Sequence, residues 1–201
     1  MMIAIQRAAP PFNLRSPIVR YSPEHKAETR KQIVESAAAE FRRHGVDGIG
    51  VAQLMQSAGL THGGFYAHFD SRDALVADAV DAAFDQTMAA LEEAASAAPA
   101  RQRKRAILHA YMNKKHRDKP ASGCAIAALG ADVSRLDAGT RKRFEARVAS
   151  LIALIAGDES ESSRKDAILM LATMVGGLVL ARAVRSEALS TEIVDTVRAA
   201  R

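Results

Sequence analysis

The sequence predicts an all-α protein, and three observations support this prediction. The chain of 201 residues is rich in alanine, and aromatic residues make up only 4% of it. Alanine has the highest helix propensity of the amino acids. Apolar residues recur at spacings of three and four, the period of an amphipathic helix, and no segment alternates convincingly as a strand does. We therefore expect about nine helices and no sheet.

The first predicted segment is a flexible basic arm, residues 1–23, with three arginines, no acidic residue and four of the six prolines. Helix one follows this arm, because Ile33, Ala37 and Phe41 recur every four residues. It is expected to end at Gly45, since glycine commonly follows the last turn of a helix.

Three more helices continue this region of the chain. A short second helix begins near Val51 and stops at Gly59. Thr61 is expected to cap a short third helix with its side chain. Ser71 then caps a long fourth helix, which we expect to end near residue 97.

Pro99 marks a plausible linker, and five further helices are predicted beyond it. Their expected bounds are residues 100–117, 123–135, 138–156, 162–186 and 190–200.

Composition excludes several classes of protein. The 48% hydrophobic and 25% charged residues are ordinary for a globular chain. The single cysteine, Cys124, excludes an internal disulfide and a cysteine-based zinc site. Because no histidine pair, nucleophile elbow or phosphate loop is present, we expect no metal, no cofactor and no enzymatic activity. The net charge of +5 hints at an anionic partner.

The apolar segments are too short for a membrane protein. The longest, residues 167–181, is shorter than the roughly 20 residues that span a bilayer, and it predicts a buried helix. The N-terminal apolar run breaks at Gln6 and Arg7, so it makes a poor secretion signal. We therefore expect a cytoplasmic protein without a membrane partner.

Residues 51–69 have the pattern of a helix-turn-helix motif, in which two short helices are joined by a turn that contains glycine. Gly59 is the residue expected to adopt a positive φ in that turn. Leu54, Leu60 and Phe65 are expected to pack the two helices against each other. In DNA-binding proteins the second helix of such a motif lies in the major groove.

The predicted second helix of the motif carries Gly63 and Gly64, which are unfavourable inside a helix. Each costs about 1 kcal/mol relative to alanine. Two interpretations remain open: close packing against a neighbouring helix, or close approach of a nucleic-acid backbone. Tyr66 offers a hydroxyl to a phosphate, and His62 and His68 offer polar groups toward a groove.

Residues 30–75 resemble the N-terminal domain of the tetracycline-repressor (TetR) family of bacterial transcription regulators. The residues that carry the resemblance are Phe41, Gly45, Gly59, Leu60, Thr61, Gly63, Phe65, Tyr66, Phe69, Asp73 and Leu75. The resemblance implies a homodimer that binds a palindromic double-stranded DNA operator, usually as a repressor. It also implies that an unidentified small-molecule effector binds the C-terminal helices and releases the DNA.

This resemblance implies a division of the chain after the basic arm. A helix-turn-helix DNA-binding domain is expected at residues 24–70 and a connecting helix at residues 71–97. The remainder, residues 98–201, is expected to bind the ligand and to form the dimer.

The resemblance also implies DNA contacts. Thr61 and Tyr66 match phosphate-contacting positions, and Arg72 matches a basic residue at the start of helix four. His62 and Gly64 stand where the family often has lysine and a hydroxyl residue, so other side chains are expected to contribute more. The predicted DNA-binding residues are Arg30, Lys31, Gln53, Thr61, His62, Gly63, Gly64, Tyr66, His68 and Arg72.

Two alternative functions remain open. Cys124 begins a predicted helix, whose N-terminus lowers the pKa of a thiol, so it is a candidate sensor of oxidants or electrophiles. The structural alternative for Cys124 is a small buried apolar residue. The second alternative function is non-specific DNA binding without an effector. Basic residues between positions 101 and 119 fit a solvated face, a lip for an anionic effector or a second DNA surface.

The dimer interface is expected on the last two helices. Residues 168–180 are apolar nearly all round, as in a helix that is buried on two sides. Burial inside the subunit is the alternative explanation. The predicted interface residues are Ile168, Leu171, Val175, Gly176, Val179, Leu180, Ile193 and Val197.

Overall fold

The computed structural model describes residues 22–158 and 160–200, and within these ranges it contains nine α-helices and no strand. The helices are α1 (Pro23–His44), α2 (Val51–Ser57), α3 (Arg72–Ala97), α4 (Arg103–Tyr111), α5 (Lys114–Asp118), α6 (Ala125–Val133), α7 (Ala138–Ala156), α8 (Glu161–Ala183) and α9 (Glu187–Ala199). Short 3-10 helices lie at His62–Ala67, Ala100–Gln102 and Pro120–Ser122. The predicted fold class is confirmed. Residues 1–21 of the predicted arm lie outside the described residues.

Side-chain caps fix where most of the helices begin. The hydroxyl groups of Ser22 and Ser71 accept hydrogen bonds from the backbone N–H groups three residues later. Caps of the same kind begin α7, α8 and α9 at Asp137, Ser160 and Ser186. Helix α1 ends as predicted at Gly45, which has φ 76° and donates its N–H to the carbonyl of Phe41.

Two helix predictions were wrong in ways that a cap explains. The helix expected at residues 100–117 is interrupted before Asn113, whose backbone is extended and whose side chain accepts a hydrogen bond from the His116 N–H at 2.9 Å. This cap begins α5 as a separate helix. Ser186 likewise begins α9 at Glu187, which is earlier than the predicted start at residue 190.

Apolar residues form two cores. The first core packs α1, α2 and the N-terminal half of α3 against α6, from which Leu129 and Val133 contribute. Phe144 of α7 joins this core and meets Phe84 edge to face, with ring centroids 5.2 Å apart. The second core lies among the end of α3 and helices α4, α7, α8 and α9. Helix α6 therefore connects the helix-turn-helix region to the rest of the chain.

A buried arginine fixes α1 to this connection. Arg42 is only 4% exposed, and its guanidinium donates to the carbonyls of Ala83 (3.3 Å) and Gly123 (3.2 Å) and to the Gln86 side chain (2.6 Å). Burial lowers the pKa of Arg42 to about 10. Three elements therefore meet on one side chain: α1, α3 and the start of α6.

His116 links the start of α6 to the end of α4. Its Nε2 accepts the Cys124 N–H at 2.8 Å, so the ring proton resides on Nδ1 and is donated to the Tyr111 carbonyl at 2.6 Å. Burial lowers the pKa of His116 to about 4, and the nearby charges of Arg182 and Arg42 contribute to this shift. The imidazole is therefore neutral at pH 7.

Helix α8 has one buried and one exposed apolar face. Its inward residues Ala167, Met174 and Leu178 lie in the second core. The helix is also long and apolar enough to cross a membrane, a property that it shares with core helices of soluble proteins. The prediction of a buried helix is thus confirmed for one face of α8.

Candidate nucleic-acid interface

The second half of the helix-turn-helix motif, residues 61–68, is termed the recognition segment. Phe65 and the adjoining Phe69 anchor it in the first core, with their rings stacked at 5.6 Å between centroids. Leu54 of α2 lies buried in the same core. Gly59 forms the turn with φ 73°, which confirms the predicted positive φ. The segment is thus held at a fixed position from its inner side.

The outer side of the recognition segment is open. Thr61, His62 and Gly63 are exposed, and Tyr66 is 72% exposed, although its ring packs edge to face on Phe65 at 5.2 Å. A large aromatic side chain held in solvent by a buried neighbour is oriented for contact outside the chain. The segment therefore presents a tyrosine hydroxyl, a threonine hydroxyl and an imidazole on one surface.

The two glycines of the segment have no partner within the chain that requires them. A Cβ placed on Gly63 would meet nothing within 4 Å, and one on Gly64 would meet only the Met55 Cε at 3.8 Å. Neither residue has a positive φ. Close packing against a neighbouring helix therefore does not require glycine at position 63, and at position 64 a Cβ would make an ordinary van der Waals contact with Met55 of α2. The space above the glycines is available to a surface that approaches from outside.

The predicted side-chain cap at Thr61 is wrong. The third helix is a 3-10 helix of six residues, and the Thr61 side chain makes no capping hydrogen bond. Its backbone carbonyl instead accepts the Gly64 N–H at 3.1 Å. Because the tighter helix is closed by backbone bonds of this kind, the Thr61 hydroxyl is left for an external partner.

His68 lies at the border between the recognition segment and α1. It is only partly exposed, and its Nδ1 is buried, so the predicted orientation toward a groove applies to part of the ring at most. Burial lowers the pKa of His68, and the charges of Lys26 and Arg30 lower it further. Sequence reasoning missed Lys26, although it precedes Arg30 by four residues on the exposed face of α1.

The predicted contact residues on α1 have partners within the chain. The Arg30 guanidinium lies over the Phe69 ring at 4.5 Å and forms an ion pair with Asp78. Lys31 lies 4.0 Å from Glu35 and is exposed. Arg30 therefore attaches α1 to the end of the recognition segment, while Lys31 remains on the solvent side.

Arg72 and Gln53 were predicted to contact DNA, and the structure gives each a role in the fold. The Arg72 guanidinium donates to the Val46 carbonyl and, at 3.4 Å, to the Ile49 carbonyl, so it braces the corner between α1 and α2. The Gln53 side chain accepts the Gly50 N–H at 3.4 Å at the start of α2. The bonds of Arg72 use guanidinium donors, whereas the bond of Gln53 uses only its Oε1 acceptor, and DNA contact by either residue stays a prediction.

Cys124 stands at the N-terminal cap of α6, as predicted, but its thiol is buried and 1% exposed. Burial raises the pKa of this thiol, so the predicted lowering was wrong. Desolvation therefore outweighs the helix N-terminus at this position. Within residues 22–158 and 160–200, no group of His, Cys, Asp and Glu side chains could hold a metal ion.

The predicted dimer residues lie on α8 and α9, and they divide between exposed and buried positions. Ile168, Val179 and Leu180 are exposed, and Gly176 has open space around it. Leu171 is buried in the second core, which excludes it from an outward surface. The half-buried residues of the predicted set also pack on that core; they are Val175, Ile193 and Val197. Exposed Leu169, which was not predicted, extends the outward face.

The N-terminal region that contains the helix-turn-helix motif is similar to known bacterial regulators. Residues 33–79 match the tetR family of bacterial regulatory proteins. A stretch of 64 residues, 32% of this chain, is 38% identical to the HTH-type transcriptional regulator TtgR of Pseudomonas putida. The same identity and length relate it to ArpR, a probable HTH-type transcriptional regulator of the same species. The matched stretch spans 30% of each relative's own length.

Solved structures share the fold over most of the chain. A TetR transcriptional regulator from Chloroflexus aurantiacus superposes with a TM-score of 0.73 and 22% identity, covering 87% of this chain and 94% of that one. A TetR-family regulator from Cytophaga hutchinsonii gives 0.70 and 21%, covering 86% and 92%. At these identities the likeness concerns the fold.

Proposed function

Because residues 33–79 match the tetR family of bacterial regulatory proteins, we propose that the chain is a member of this family and a DNA-binding transcriptional regulator of the cytoplasm. In this proposal it is a repressor that binds a palindromic operator as a homodimer. A small-molecule effector releases it from the DNA. The division into a DNA-binding domain at residues 24–70, a connecting helix and a C-terminal domain is part of the proposal.

The observation that carries the proposal is the open surface above Gly63 and Gly64. Two adjacent glycines that neither packing nor φ requires indicate that something outside the chain needs the space. A DNA backbone that approaches this closely would meet the hydroxyls of Thr61 and Tyr66. Phosphate contacts of this type fix the position of a protein on the duplex.

Charge on α1 supports the same surface. Lys26 is exposed there and acts electrostatically on His68 of the recognition segment. Lys31 is also exposed, beside Glu35. Lysines beside a recognition segment neutralise phosphates and release counterions, so binding weakens as salt rises. Few cations border the segment itself, and we therefore propose that α1 supplies much of the electrostatic attraction.

The exposed face of α8 supports the dimer. Ile168, Val179 and Leu180 of α8 face solvent. A contiguous exposed apolar patch commonly marks an interface. Two-fold pairing of this face would bury it and leave Gly176 at a close helix approach. The two recognition segments would then lie roughly 34–36 Å apart, one turn of DNA.

Selection of bound fragments from the source genome tests the proposal. The purified full chain is mixed with fragments at ~150 mM salt and excess non-specific competitor, and bound DNA is sequenced. Recovery of a few sites that share an inverted repeat is expected. Recovery of random sequence would contradict the operator, and would favour non-specific binding without an effector. Light scattering at several protein concentrations tests the homodimer independently.

A further inference from the structure

A large cavity lies between α4, α8 and the C-terminal turn of α9. Its volume is about 1000 Å³, at the upper end of the range of about 300–1000 Å³ that is usual for small-molecule sites. Helix α4 and the preceding 3-10 turn form one wall, α8 forms the floor, and residues 195–200 form the opposite wall. The cavity adjoins the exposed face of α8 and is remote in sequence from the recognition segment.

The cavity is lined in part by apolar side chains, which lie beside Asp166 and Thr173 of α8. Leu108 of α4 and Met170 of α8 line it, and both belong to or pack on the second core. Leu169 also lines it and is 67% exposed. Burial of apolar surface is worth about 25 cal/mol per Å², so a hydrocarbon or aromatic group would gain free energy on this floor.

The rim of the cavity carries an excess of positive charge. Both of its carboxylates are already paired: Asp166 lies 3.7 Å from the Lys104 Nζ, and Asp195 lies 2.8 Å from the Arg198 guanidinium. In the part of the chain that the structure describes, Arg101 and Arg105 form no ion pair. They are four residues apart, so they lie on the same side of their helical stretch. Two guanidinium groups are therefore available to an anion.

We propose that this cavity binds a small organic anion with an apolar body. Arg101 and Arg105 hold the carboxylate, because a guanidinium matches the two oxygens of that group. The apolar body lies on Leu108, Leu169 and Met170. The use of this cavity as the effector site rests on the proposed function, whereas the binding itself does not.

Isothermal titration of the full chain with octanoate tests the proposal without DNA present. Octylammonium and octanol, which keep the apolar body and change the head group, are titrated for comparison. The key variant is Arg101→Gln combined with Arg105→Gln. The matched control is Arg141→Gln combined with Lys142→Gln, which removes the same charge from the exposed face of α7. Circular dichroism verifies that each variant is folded.

We expect octanoate to bind more tightly than octylammonium or octanol. The double arginine variant is expected to lose about tenfold or more in octanoate affinity, while the α7 control stays within about twofold of the wild type. Equal octanoate affinity in the wild type and the arginine variant would overturn the proposal. So would the absence of binding at millimolar octanoate.

A second copy of the chain is the competing occupant of the cavity. In that case octanoate fails to bind, and the arginine variant changes the mass measured by light scattering. Either result would contradict an anion site. Because the titration contains no DNA, its failure leaves operator binding untouched, and failure to recover operator sites leaves the titration valid.

Discussion

The recognition segment and the interior of the C-terminal helices α4 to α9 use the same residue types in opposite ways. Gly63 has open space above it, whereas a Cβ on Gly177 would come within 2.8 Å of the Val197 Cγ2. Tyr66 is 72% exposed, and Tyr111 is 1% exposed. The exposed His62 likewise contrasts with His116, both of whose ring nitrogens are hydrogen bonded.

This contrast separates two reasons for a residue to be present. In the interior, the side chain or its absence is explained by neighbours within the chain. On the exposed side of the recognition segment, at residues such as Gly63 and Tyr66, no neighbour gives such an explanation, and we propose that a partner does. Substitutions inside should therefore change the free energy of unfolding, and substitutions in the segment should change binding alone.

The largest expected effect concerns the interior histidine, His116. Its folded pKa of about 4 lies below its ordinary value of 6.5, so the unfolded chain takes up the proton first as the pH falls. Proton uptake by the unfolded chain favours unfolding, and stability is lost between about pH 6.5 and pH 4. The substitution His116→Gln retains an acceptor for the Cys124 N–H but removes the titrating group. We expect the free energy of unfolding of this variant to fall by about 2–3 kcal/mol less than that of the wild type over this pH range. Urea unfolding of both proteins at several pH values measures this difference.

The outer histidine supplies the control for this experiment. His62→Gln changes an exposed side chain of the same type and should keep the full pH dependence of the wild-type free energy of unfolding. Identical pH profiles for His116→Gln and the wild type would show that burial of the inner imidazole does not limit its protonation.

The second effect concerns Gly63, the exposed glycine of the recognition segment. Gly63→Asp places a negative charge where we propose that phosphates approach, in both copies of a dimer. We expect about a hundredfold loss of operator affinity or more, measured by fluorescence anisotropy, because like charges repel across the contact. The urea midpoint should not change, since a Cβ at position 63 meets nothing within 4 Å and the side chain extends from an exposed position.

Two controls separate charge from size and from position. Gly63→Ala adds volume without charge and should weaken binding less than the aspartate does. Ala149→Asp adds the same charge on the exposed face of α7 and should bind operator like the wild type. Wild-type affinity in Gly63→Asp would remove the recognition segment from the DNA interface.

The third effect concerns Gly177, the buried glycine of α8. In Gly177→Val the Cβ falls 2.8 Å from Val197 and 3.3 Å from the Met112 Cε. Because α8 and α9 must separate to admit it, we expect a loss of about 2 kcal/mol in the free energy of unfolding. Gly63→Val is the matched control, with an expected change below about 0.5 kcal/mol. Equal losses in the free energy of unfolding for Gly177→Val and Gly63→Val would contradict the difference in packing between the interior and the recognition segment.

Sequence reasoning predicted the features that local patterns determine. The spacing of apolar residues gave the all-α class, and cap residues such as Ser71 gave helix starts. Gly45 and Gly59 marked the turns, because positive φ favours glycine wherever it occurs. Each of these features depends on residues within a few positions of one another.

The features that it did not predict depend on distant partners. Arg72 donates to the Val46 carbonyl, 26 residues earlier, and nothing in the sequence marks that carbonyl as its acceptor. Cys124 has the helix N-terminus that lowers a thiol pKa, but the packing of other helices buries it and reverses the shift. Arg42 looks like a surface residue of α1 and is instead held by α3 and the start of α6. Tertiary packing decides each of these cases.

The smallest expected effect concerns the outer tyrosine. Tyr66→Phe removes one hydroxyl from the exposed surface, and the phenyl ring can still pack on Phe65. One hydrogen bond to a phosphate is worth about 1 kcal/mol, so affinity should fall about three- to tenfold. A phosphate contact carries no sequence information, so operator and unrelated DNA should be affected alike. A change in sequence preference, measured by competition between the two DNAs, would instead place Tyr66 against a base edge.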